Sequence, residues 1–107
     1  MKKIIILIPV FNDWDSLKKL IEEINQNIKD FKHINFECLI VNDASLIDRP
    51  KLIKPNHLKS FEILNMKKNK GHARCNAFGI RHVYQNKQFD YLIPVSYTHL
   101  RAHETDS

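Results

Sequence analysis

Three short segments hold the side chains whose types and spacing could do chemistry. Pro9, Val10, Phe11, Asn12 and Asp13 put an aromatic ring, an amide and a carboxylate directly behind an aliphatic run. At a strand end such a ring can cover a base, and such a carboxylate can accept hydrogen bonds from a ribose or base. The plainer alternative is a core phenylalanine followed by a helix N-cap aspartate. Val41, Asn42, Asp43, Ala44 and Ser45 close a second aliphatic run. The Asp43 carboxylate complements the N–H donors of a nucleobase, although Asx residues behind a strand also make ordinary turns. The third segment, Lys67, Lys68, Asn69, Lys70, Gly71, His72, Ala73 and Arg74, is a basic turn leading into helical sequence. Free N–H groups and the dipole at a helix N-terminus attract phosphate, whereas cations there are unfavourable unless an anion joins them. Lys70 and Arg74 are therefore candidates for phosphate contact.

For these segments to act together they must lie on one edge of a sheet, and the hydropathy pattern provides that arrangement. Residues 3–10 form a continuous β-branched and aliphatic run, the pattern of a strand buried on both faces in a parallel sheet. Trp14, Leu17, Leu20, Ile21, Ile24 and Ile28 then recur at three- and four-residue steps among charged residues, which predicts one amphipathic helix capped by Asp13 or Asp15. After a turn through residues 33–35, a second buried strand is expected over 36–41. Residues 46–59 carry Pro50, Pro55 and several basic side chains without sustained periodicity, so they read as a surface connection with room for one helical turn around Ile47 to Ile53. A third strand over 61–66, a basic turn, and a helix over 73–84 follow. That helix is expected to bury Ala73, Ala77, Ile80 and Tyr84, with Gly79 permitting close packing. Tyr91 opens a fourth strand. Strands alternating with helices in this order define an α/β class with a mostly parallel sheet and flanking helices, which binds ligands at the carboxyl ends of its strands.

Composition narrows the function classes. The chain has 107 residues, 43% of them apolar and 27% charged, which suits one small folded domain and excludes a disordered segment. The longest apolar run, residues 4–10, is far short of the ~20 residues a membrane helix needs. No small-residue cleavage site follows it, so a cytoplasmic protein is expected. Cys38 and Cys75 stand in unrelated contexts, as structural thiols rather than a disulfide framework. The net charge is +5, and residues 1–94 are more basic still at +6, since Arg101 is outweighed by Glu104 and Asp106 beyond them. Such a balance favours an anionic partner.

Residues 95–107 break the pattern. From Val95 to Thr105 they look like a translated sequencing adapter, so the expected division is residues 1–94 as the N-terminal part of a domain and 95–107 as a non-native tail. His99 and His103, four apart like metal ligands on a helix, fall in this tail and are assigned no role. On this reading the native sequence continues past residue 93 or 94, and the truncated 107-residue chain is expected to be inactive and poorly stable.

Taken together, the three segments resemble the family 2 glycosyltransferases of the GT-A fold. Pro9, Phe11, Asn12 and Asp13 match the Pro-x-aromatic-Asn-acidic turn after that family's first strand. Asn42, Asp43, Ala44 and Ser45 stand for its Asp-Asp-Gly-Ser-like turn, and Asn69, Gly71, Cys75 and Gly79 match its later Asn-x-Gly helix start. The resemblance covers residues 3–93 and implies a Rossmann-like nucleotide-sugar-binding half. In its terms Asp43 binds the nucleobase, Pro9, Phe11, Asn12 and Asp13 line the nucleotide pocket, and Lys70 and Arg74 lie near the diphosphate. It also implies a UDP- or GDP-sugar donor, a divalent cation (Mg²⁺ or Mn²⁺) in the full-length enzyme, and an acceptor. Asn69, Lys70, Gly71 and His72 are similar to the subgroup that uses polyprenyl-phosphate or related lipid-linked acceptors, which would place the full-length protein at the cytoplasmic membrane face. Two departures stand out. Asn42 replaces an acidic residue and Ala44 a glycine, so the geometry of that turn is open. The family's Asp-x-Asp metal motif follows the strand begun at Tyr91, where adapter-like sequence stands instead, so no metal ligand and no catalytic residue is assigned in this chain.

The competing reading is a small basic nucleic-acid-binding α/β module, which would interleave cations with exposed aromatics. Phe11, Phe36 and Phe61 sit in or beside strand patterns instead. A dinucleotide-dependent oxidoreductase would need a glycine-rich first turn, and Gly71 and Gly79 are the chain's only glycines.

Overall fold

The computed structural model describes residues 1–95. The expected non-native tail, apart from its first residue Val95, lies outside the described residues. The order of elements is β1 (Lys2–Val10), α1 (Trp14–Ile28), β2 (Ile34–Asn42), β3 (Ser60–Asn65), α2 (His72–Asn86) and β4 (Tyr91–Pro94). The four strands are all parallel, in the order β3-β2-β1-β4. β1, the most apolar strand, is thereby central, with residues 5–10 fully buried.

Period-two alternation splits the strands between two faces. Ile6, Ile8 and Val10 of β1 join Cys38 and Ile40 of β2 and pack on Trp14, Leu17, Ile21 and Ile28 of α1. Ile5, Leu7, Leu39 and Val41 point the other way and pack on Cys75 and Val83 of α2. The result is a helix on each face of one sheet, the doubly wound arrangement the sequence predicts. Cys38 and Cys75 are free and buried on opposite faces. Among the described residues no helix is long and apolar enough to cross a membrane.

The structure corrects three local expectations. β2 begins at Ile34, inside the expected turn, because Ile34 already pairs with Lys2 of β1. Residues 43–59 contain no helical turn around Ile47 to Ile53. The amides of Leu46 and Ile47 are taken by the Asn12 side chain, and Pro50 disfavours helical backbone at Arg49. The third correction is the buried face of α2, which is Cys75, Gly79 and Val83, while Ala73, Ala77 and Tyr84 are exposed. This stripe of small side chains lets the helix sit close to the sheet. A methyl group on Gly79 would stand 2.5 Å from Leu7 Cδ1, nearer than ordinary packing permits.

Pro9 has a structural part in β1. Leu7 O accepts from Val95 N and Val10 O from Asp43 N, so alternation along the strand turns the Pro9 nitrogen toward β4. Its missing N–H therefore falls where the β4 ladder ends, a position that tolerates proline.

Candidate functional site

The carboxyl ends of β1, β2 and β3 lie side by side, and each runs into one of the three segments singled out in the sequence. Two side chains tie these segments together. The first is Asn12, which adopts a left-handed backbone conformation (φ 62°), one that asparagine tolerates better than most residues. Its Oδ1 accepts from Leu46 N at 2.7 Å and Ile47 N at 3.1 Å. Its own N–H donates to Ser45 Oγ at 2.9 Å. The turn after β1 thus holds the turn after β2.

The second is Asp43, which is fully buried. Its Oδ1 accepts from Lys70 N at 2.7 Å, and its Oδ2 accepts from Gly71 N at 2.8 Å and from Asn69 Nδ2 at 3.0 Å. Asn69 Nδ2 also reaches the Asp43 carbonyl at 3.2 Å. Charge-assisted bonds of this kind are the strong ones, and a buried carboxylate without them would be costly. The Asp43 side chain is therefore engaged by the turn before α2, which it fixes in place. Gly71 takes φ 88° and ψ 158°, a conformation open essentially to glycine alone. The Cys75 thiol, one turn into α2, is pushed up to about 12 by burial, with the hydrogen bond and charge of Asp43 adding to the effect.

The remaining expected residues divide by exposure. Phe11 is half-buried at the end of β1, and Asp13 caps α1 through Oδ1, which accepts from Ser16 N at 3.2 Å. Pro9 is fully buried and offers no side-chain surface to a ligand. Lys70 and Arg74 are exposed, and no ion pair is made by either among the described residues. α2 has no side-chain N-cap and no acidic residue in its first turn, so the positive end of its dipole and two cations share one place. Ala44 takes φ 57°, the left-handed conformation natural to glycine. A non-glycine residue holds it at a backbone cost. Ser45 was not singled out as a binding residue, and Asn69 entered only through the helix-start pattern. An amide two residues ahead of a glycine was the signal for Asn69.

The family model of Glycosyl transferase family 2 matches residues 5–93. The chain belongs to glycosyl transferase family 2. No curated protein and no solved structure matches it. Its all-parallel sheet with a helix on each face is consistent with the Rossmann-like half of a GT-A fold in this family. Membership supports glycosyl transfer by the full-length protein, and implies a sugar-nucleotide donor and an acceptor as general substrate classes. Family 2 glycosyltransferases commonly use a divalent cation. The described residues do not fit one: they contain no group of three or more His, Cys, Asp or Glu able to hold a metal ion, and the Asp43 carboxylate is taken up by the turn before α2.

Proposed function

We propose that the carboxyl edge of this sheet binds the nucleoside diphosphate portion of a UDP- or GDP-sugar. The full-length protein then passes the sugar to an acceptor such as a polyprenyl phosphate or another glycolipid or glycan, at the cytoplasmic face of a membrane. The observation that carries this reading is the clasp of Asp43 on Lys70 N and Gly71 N, which sets an uncapped helix N-terminus and two unpaired cations beside the ends of β1 and β2. An anion added to the buried Asp43 carboxylate there relieves the remaining repulsion between Lys70, Arg74 and the helix dipole, and a diphosphate supplies it. Phe11 and the Asn12 turn form the adjoining wall for the base. Asp43 serves this site by ordering residues 69–71. Phe11, Phe36 and Phe61 are half-buried rather than displayed, which supports a sugar nucleotide over a nucleic acid as the anionic partner.

Calorimetry with UDP, GDP, uridine and guanosine tests the reading. Lys70→Ala or Arg74→Ala is expected to weaken diphosphate binding by about 1.5–3 kcal/mol while leaving nucleoside binding nearly unchanged. Equal losses for both ligands would rule out phosphate contact, and no binding of any of the four would remove the site.

A further inference from the structure

The connection between β2 and β3 has a surface that the nucleotide site does not use. Leu46, Ile47 and Ile53 are exposed to 85%, 58% and 76%, values unusual for large aliphatic side chains within one short stretch. Between them lie Arg49 and Lys51, both exposed and without an ion-pair partner among the described residues. These two cations, with Pro50 and Leu52, border a groove of about 630 Å³ whose floor is Phe61 and Ile63 on the α1 face of edge strand β3. Asp48, the acidic residue of this stretch, instead borders a separate cleft beside the start of α1. Lys54 turns back onto its own loop, donating to Leu58 O at 2.8 Å.

We propose that residues 46–53 form a docking element for an anionic membrane surface. The aliphatic tips enter the interfacial region of the bilayer, Arg49 and Lys51 meet lipid phosphates, and the apolar floor of the groove takes up part of an acyl chain. Exposed aliphatic groups alternating with cations are the composition of an interfacial membrane contact. A single-stranded nucleic acid would call for exposed aromatic rings between the cations, and this stretch has none. The proposal does not depend on the nucleotide site, whose clasps use the backbone of Leu46 and Ile47 and not their side chains.

The test is co-sedimentation of the chain with vesicles of phosphatidylcholine alone or mixed with phosphatidylglycerol. Binding is expected only to the mixed vesicles. Arg49→Gln with Lys51→Gln should lower the partition coefficient roughly 30-fold, the equivalent of about 1 kcal/mol per basic side chain at an anionic surface. Leu46→Ser with Ile53→Ser should lower it on the order of tenfold or more, a loss that added salt does not reproduce. Arg49→Lys with Lys51→Arg should retain binding. All four positions of substitution are exposed, so circular dichroism should match the parent chain. Equal binding to both vesicles, or to neither, overturns the proposal. So does full competition by soluble glycerol phosphate, which would make the ligand a free anion. Retention of a DNA oligonucleotide through Arg49 and Lys51 without vesicle binding overturns it in favour of a nucleic-acid surface.

Discussion

Gly79 of α2 stands against Leu7 of β1 so closely that an added methyl group would lie 2.5 Å from Leu7 Cδ1 and 2.9 Å from Cδ2. Leu7 is fully buried and has no solvent to swing into. Gly79→Ala should gain about 1 kcal/mol in helix propensity and lose about 1–3 kcal/mol to overpacking, for a net fall in the urea midpoint. Leu7→Val should partly relieve the clash, making the double variant more stable than the sum of the single losses predicts. A Gly79→Ala chain as stable as the parent would show that the helix-to-sheet distance is set elsewhere.

Asp43→Asn puts an NH₂ group where one of two backbone N–H donors now meets a carboxylate oxygen. The expected cost is about 3 kcal/mol in unfolding free energy, together with faster amide exchange at Lys70 and Gly71 and weaker nucleoside diphosphate binding. Weaker binding with unchanged exchange at those two amides would mean that Asp43 reads the base directly and does not act through the turn.

Ala44 occupies a left-handed conformation at φ 57°. Ala44→Gly should therefore raise stability by about 1 kcal/mol, since the strain removed exceeds the entropy that glycine adds to the unfolded chain. A lower melting temperature would contradict this.

The two thiols give the fold an alkaline limit. Burial pushes Cys38, and burial with Asp43 pushes Cys75, from 9.0 up to about 12. Below pH 9 both are protonated in either state, and their contribution is fully present. Above it the unfolded chain ionises first, so stability falls as pH rises from 9 toward 12. The urea midpoint should drop between neutral pH and about pH 10, with a shallower slope in a Cys38→Ala chain. A disulfide reagent should label neither thiol until the chain unfolds.

The buried stripe of helix α1 was legible from sequence, because Trp14, Leu17, Ile21 and Ile28 are large apolar groups at helical spacing and all are buried. The strands were legible from their aliphatic runs to within a residue, apart from the start of β2. The buried face of α2 was not: Cys75 and Gly79 earn their places by being small, which hydropathy does not record, while Tyr84, counted as core, is 69% exposed. The three segments of the site were legible as strand ends. Their clasps were not, because Asp43 meets Lys70 and Gly71 across 27 and 28 residues of chain, a meeting that only the sheet order brings about.

Pro9 also matters while the chain is being made. β1 can pair with β2 as soon as β2 has emerged, but β4 begins roughly 50 residues after β2 ends, on the order of 3–10 s of synthesis at ~5–20 residues per second. Throughout that interval the β4 side of the most apolar strand is an open edge, able to recruit a strand from a neighbouring nascent chain. Pro9 withholds a donor on that side. A fully buried residue thus guards the unfinished sheet against the wrong partner until Tyr91–Pro94 arrives.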